Sequence, residues 1–129
     1  MWRSRKAKAA RRFLDALCAG DAATVDTLMT EDVAYTDGRG NTLEGFAACS
    51  AAARAFHKLE PNYRFTVNET TVRGDVVMFR GVSEADNPTL CGELLVHARL
   101  RDGRICDWQV YRHGAPALAR ILAKEIAPD

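Results

Sequence analysis

Glu31-Asp32-Val33-Ala34-Tyr35-Thr36-Asp37-Gly38-Arg39-Gly40-Asn41-Thr42-Leu43-Glu44-Gly45-Phe46 holds a strand, a turn and the opening of a helix in direct succession. Val33, Tyr35 and Asp37 fall on one face at the two-residue period of a strand. Asp37-Gly38-Arg39-Gly40-Asn41 then uses residues that tolerate left-handed backbone and bond to their own chain, which predicts a turn. Helical spacing follows over about 44–58, with Phe46, Cys49, Ala53 and Phe56 on one side of an Ala-rich body, and Pro61 marks its end. Asp37 therefore stands at the lip of whatever hollow Val33 and Tyr35 wall.

Upstream, Ala10, Phe13, Leu14, Leu17 and Cys18 recur at three- and four-residue spacing, an amphipathic helix over about 4–19 closed by Gly20. Asp21 caps a second, shorter helix whose stripe is Val25, Leu28 and Met29. Downstream of Asn62 the period changes to two. Strands are expected at about 63–72, 76–85, 90–100 and 104–113, divided by turns at Gly74-Asp75, Asp86-Asn87-Pro88 and Asp102-Gly103. Leu118, Ile121, Leu122 and Ile126 give a last helix over about 115–127, with Pro116 in its first turn. This order predicts an α+β fold in which helices cover one face of a strongly curved antiparallel sheet, the whole enclosing a cone.

The chain of 129 residues suits one domain, 1–129, large enough to bury roughly two thirds of the surface its unfolded form exposes. Its balance of 47% hydrophobic and 27% charged residues is that of a globular protein rather than a fibrous or disordered one. Cys18, Cys49, Cys91 and Cys106 form no Cys-x-x-Cys pair and have no His at ligand spacing, so no metal site is expected and the thiols read as buried or half-buried and reduced, in a cytoplasmic protein. No apolar run reaches membrane-spanning or signal-peptide length. Arg3, Arg5, Lys6, Lys8, Arg11 and Arg12 put +6 in the first twelve residues against +1 overall, leaving −5 for the rest. With no aromatic or motif beside them, these bases read as the solvated face of the first helix rather than a nucleic-acid arm.

The element order, with Ala19-Gly20-Asp21 leading to Leu28, Met29, Thr30, Glu31 and Asp32, resembles the nuclear transport factor 2-like superfamily, and within it the SnoaL-like proteins, over about 8–114. The resemblance implies the cone-shaped, cystatin-like α+β roll, a hydrophobic cavity, frequent homodimers, and functions that range from cofactor-free isomerases, cyclases and dehydratases to modules that only bind or associate. Compared with ketosteroid isomerases, Asp37 falls on the general base. Phe13 and Val96 fall where those enzymes place the two donors of the oxyanion hole, so the resemblance implies a base without its electrophile, the larger contributor to rate. Compared with limonene epoxide hydrolases, Gly81, Ser83 and Val110 fall on the catalytic Arg and Asp positions, which excludes that reaction.

Carried along the sheet, the alternation predicts an inner face of Val77, Phe79, Gly81, Ser83, then Gly92, Leu94, Val96, Ala98, then Trp108, Val110 and Arg112. Phe13, Leu17 and Phe56 complete the wall from the helices, while Gly81, Gly92 and Ala98 thin it enough for a flat hydrophobic ligand of about 300 Å³ or more. The expected ligand-binding residues are thus Phe13, Leu17, Phe56, Val77, Phe79, Ser83, Leu94, Val96, Trp108 and Val110. Asp37 is either a base acting on a small cyclic carbonyl compound or a turn residue bonded to backbone amides. Tyr35 either donates to a ligand or buries its ring, and Arg112 either pairs with Asp37, polarises or holds an anionic group, or reaches solvent. His97 falls on the outer face, and His113 follows the last strand. That outer face, mixing Met78, Arg80, Val82, Leu95, His97, Gln109 and Tyr111, is too apolar for an ordinary solvated sheet surface and reads as a homodimer interface. No cofactor, nucleic acid or membrane is expected as a partner.

Overall fold

Helix α1 (Trp2–Ala19) buries Ala10, Phe13, Leu14 and Ala16, and Arg11 and Arg12 lie on its exposed side, as its spacing dictates. The computed structural model describes residues 2–112 and 114–126; His113 and residue 127, the expected ends of the last strand and helix, lie outside them. After α1 come α2 (Ala22–Thr27), β1 (Met29–Thr36), β2 (Thr42–Glu44), α3 (Phe46–Leu59), β3 (Arg64–Arg73), β4 (Val76–Glu84), a 3₁₀ turn at Pro88–Leu90, β5 (Gly92–Arg101), β6 (Arg104–Tyr111) and α4 (Leu118–Ile126). Asp21 caps α2 through an oxygen that accepts the Thr24 amide at 3.2 Å. Gly20 (φ +72°) is where the chain turns, and a Cβ there would lie 2.5 Å from the His57 ring of α3, so the turn also seats that helix.

One curved, unclosed six-stranded sheet runs β2-β1-β6-β5-β4-β3. The β3 to β6 meander is antiparallel and its two-residue links fall where expected, at Gly74-Asp75 and at Asp102-Gly103, where both residues take positive φ. The sheet is not antiparallel throughout, because β1 pairs with β6 in parallel. Met29 already pairs with Ile105, which makes β1 longer than the alternating core of its sequence. The turn at 37–41 is a hairpin as well as a helix lead-in: Tyr35 faces Leu43 and Thr36 faces Thr42 across the short β2, which is too brief and polar to show a period. Strand β6 stops at Tyr111, so Arg112 stands just beyond it, and α4 begins at Leu118, with Pro116 ahead of it rather than inside it.

Alternation on the central strands holds: Leu94, Val96, Ala98 and Leu100 are buried, as are Val77, Phe79, Gly81 and Ser83. Gly81 does not thin a wall. Its missing side chain is occupied by β3, whose Thr66 carbonyl oxygen would lie 1.9 Å from an added Cβ, next to a register irregularity between Val67 and Glu69. Ala98 is completely buried in the core.

Candidate functional site

Asp37 is the first residue past β1 and only 3% exposed. One carboxylate oxygen accepts the backbone amides of Arg39 at 2.8 Å and Asn41 at 3.0 Å; the other accepts the amide of Ala119 at 2.8 Å and the Asn41 side chain at 3.4 Å. Ala119 lies in the first turn of α4, so Asp37 satisfies an orphan amide of a helix far along the chain, as an N-cap does for its own. Arg39 Nε donates to the Ala115 carbonyl at 2.9 Å, and a Cβ at Gly38 would come within 2.5 Å of the Ala115 methyl group. Loop 37–41 is therefore the seat on which the chain leading into α4 rests.

Seated there, α4 and its lead-in roof an apolar pocket through Ala115, Pro116, Leu118 and Leu122. Of the expected residues, Phe13, Leu17, Phe56, Leu94, Val96, Trp108 and Val110 line it, and so do Tyr35, Asp37 and Arg112. Val77, Phe79 and Ser83 stand outside the lining; Val77 and Phe79 belong to the packed core with Ala10, Phe13 and Leu14. Spacing alone did not mark Leu14, Cys18, Met29, Cys49, Tyr63 or Leu90 for the wall. The cavity measures about 130 Å³, well below the 300 Å³ expected; α4 contributes Leu118 and Leu122 to its lining, and Gly81, filled by β3, adds no space to it. Two aromatic pairs stiffen the wall, Phe13 with Trp108 at 5.0 Å between ring centres and Phe56 with Tyr63 at 4.9 Å.

The pocket has one cationic end. Arg112 Nη2 donates to Ser83 Oγ, which itself donates to the Leu90 carbonyl at 2.6 Å. Arg112 Nη1 is buried and has no hydrogen-bond partner among the described residues. Burial pushes the Tyr63 phenol up, against its hydrogen bonds with Ser83 and Arg112 and the Arg112 charge. Burial, with the Asp37 charge second, pushes Tyr35 far up, so at neutral pH its hydroxyl is a donor and not a base. Burial also pushes the Cys49 thiol up to about 11, which leaves it protonated and a poor nucleophile.

Phe13 and Val96 stand in the wall as apolar groups, so neither supplies an oxyanion donor. His97 alternates onto the outer face, half-buried, with Nδ1 unpartnered among the described residues. No cluster of three or more His, Cys, Asp or Glu suited to a metal occurs among the described residues. Nor is any helix among them long and apolar enough to cross a membrane.

A search of curated proteins by sequence finds no match. Solved structures do resemble the chain. A proposed polyketide cyclase from Sinorhizobium meliloti is 22% identical with a TM-score of 0.72, over 80% of this chain and 93% of that one. An epoxide hydrolase of the limonene epoxide hydrolase-like type from M. tuberculosis is 19% identical with a TM-score of 0.74, over 98% of both chains. A proposed ketosteroid isomerase from Kribbella flavida is 17% identical with a TM-score of 0.71, over 84% of this chain and 78% of that one. At such identities these likenesses establish the nuclear transport factor 2-like fold and nothing finer. The SnoaL-like domain model matches residues 10–108, most of the chain, from within α1 to within β6. The chain belongs to the SnoaL-like domain family.

Proposed function

We propose that residues 1–129 form a single SnoaL-like domain that binds a small hydrophobic molecule without a cofactor and without turning it over. The observation that carries this reading is the state of Asp37, whose oxygens are occupied by three backbone amides and a side-chain amide while the wall around it is apolar. A general base needs a free lone pair within reach of the substrate proton. Here that lone pair is engaged in holding α4. The positions of the oxyanion donors are filled by Phe13 and Val96, which removes the group that would stabilise an enolate.

A screen by thermal shift tests the reading. A compound present at a hundred times its dissociation constant adds about 2.7 kcal/mol of stability. Small monocyclic hydrophobes are expected to raise the melting temperature of the wild type, and Val110→Trp, which fills the cavity from the β6 wall, is expected to remain folded and lose the response. Failure of every such compound to bind the wild type would refute the pocket reading. Asp37 does stand in the lining, which favours a second reading, cofactor-free isomerase, cyclase or dehydratase chemistry on a cyclic carbonyl compound with Asp37 as base and Tyr35 or Arg112 polarising the carbonyl. That reading is established if a bound compound is consumed and a folded Asp37→Asn variant binds it without consuming it.

The outer sheet face supports a homodimer as partner arrangement. Val82 is 40% and Tyr111 50% exposed there, beside half-buried Met78, Leu95 and His97, an apolar patch on a surface otherwise dressed with ion pairs such as Arg80 with Glu69. Sedimentation is expected to show a dimer for the wild type and a monomer for Val82→Glu/Tyr111→Glu; a wild-type monomer at micromolar concentration would refute it. The cytoplasmic setting we also propose is one in which the four cysteines, Cys91 exposed among them, stay reduced.

A further inference from the structure

Resting on the pocket reading above, we infer that the ligand is an organic carboxylate with a body no larger than one ring, its carboxylate held by Arg112 and Tyr63.

Arg112 is the argument for the charge. Its side chain meets the neutral Ser83 hydroxyl and the neutral Tyr63 phenol, its Nη1 is buried without an acceptor among the described residues, and no ion pair found among them includes it. Arg112 is half-buried, and a buried guanidinium nitrogen with neither an acceptor nor an anion beside it is costly. A carboxylate delivered by a ligand supplies both at once, through charge-assisted hydrogen bonds of the strong class. The guanidinium is also held in place to receive one. Ser83 is itself anchored to the Leu90 carbonyl, and Gly92 (φ +115°) keeps a side chain away from Nη1, the nearest atom to a Cβ there at 3.9 Å. Tyr63, in the same lining and hydrogen-bonded with Ser83 and Arg112, keeps a hydroxyl beside the guanidinium that a bound carboxylate would recruit as a second donor. Asp37 is excluded as the missing anion because its oxygens already serve Arg39, Asn41 and Ala119.

Cavity volume is the argument for size. About 130 Å³ is close to the roughly 150 Å³ cavity that accepts benzene in an engineered protein core. Steroids and fused polyketides are therefore too large, whereas benzoate or cyclohexanecarboxylate has an apolar body that fits the Phe13, Phe56, Leu94 and Trp108 wall.

Calorimetric titration of the full chain with benzoate, benzamide and toluene, on wild type and on Arg112→Met, tests the inference. Wild type is expected to bind benzoate at least about tenfold tighter than benzamide, which corresponds to about 1.4 kcal/mol. Arg112→Met is expected to lose that preference and still bind toluene, which also shows that the pocket survives the substitution. Tyr63→Phe is expected to weaken benzoate several-fold with toluene unchanged. If toluene and benzamide bind wild type as well as benzoate does, or if Arg112→Met retains the preference, this inference is overturned while the pocket reading stands. If none of the three binds, this inference is overturned, and the pocket reading falls with it when the wider thermal-shift screen is negative too.

Discussion

Gly81→Ala is expected to destabilise the protein by about 4 kcal/mol and to lower its melting temperature by about 12 °C, although it adds one methyl group. The methyl carbon would lie 1.9 Å from the Thr66 carbonyl oxygen and 2.9 Å from the Thr66 carbonyl carbon and the Phe65 ring. Side chains can swing aside, but a backbone carbonyl moves only with its strand, and β3 is an edge strand held on one side by β4. The clash therefore forces β3 outward at the irregularity between Val67 and Glu69, where its pairing is already interrupted. Hydrogen exchange is expected to rise through β3 and to stay low in β5 and β6. Phe65→Ala removes only the ring contact, so Gly81→Ala/Phe65→Ala is expected to be no more stable than Gly81→Ala alone. A double variant restored to the stability of Phe65→Ala would show that the ring, and not the backbone, set the need for glycine.

Gly81 also shows where sequence reading succeeds and where it stops. Alternation placed Gly81 on the inner face, which is right, and took its small size for empty space, which is wrong. What fills the space is the backbone of a neighbouring strand, and register is invisible until the pairing is known. Periodicity found the four α-helices among the described residues and the four-strand meander because each buries one face on its own local pattern, but it carried the second helix too far: α2 ends at Thr27 and Met29 opens β1. The parallel β1–β6 pairing has no local signature, since it depends on where two distant segments meet.

Much of the pocket wall was legible for the same reason: Phe13, Leu17, Phe56, Leu94, Val96, Trp108 and Val110 follow from the faces of their own elements. Its roof was not. Ala115, Pro116, Leu118 and Leu122 could be read as an amphipathic segment, but the surface they cover is chosen by a loop at 37–41. Tyr63 precedes β3 and joins the site only through the tertiary approach of Ser83 and Arg112. Arg112 was assigned inward by extending an alternation past the true end of β6; it lines the pocket from just beyond that strand.

Asp37→Ala is expected to lower the melting temperature by about 10 °C and to free α4, an effect on architecture where a catalytic residue would leave stability nearly untouched. The carboxylate accepts three backbone amides and one side-chain amide, and hydrogen bonds to a charged group each contribute about 1.5–3 kcal/mol. Part of that returns when loop amides reach water, so a net loss of about 3 kcal/mol is expected, of which the α4 cap accounts for about 1 kcal/mol. Asp37→Asn is expected to recover little, because one of its two terminal atoms becomes an NH₂ group facing amide donors. With the seat gone, Ala115, Pro116, Leu118 and Leu122 no longer roof the cavity, and benzoate is expected to associate faster and bind more weakly than in wild type. Hydrogen exchange should rise in α4 and in loop 37–41 and remain unchanged in β4 and β5. An Asp37→Ala protein with wild-type melting and a protected α4 would remove the structural role and return Asp37 to candidacy as a base.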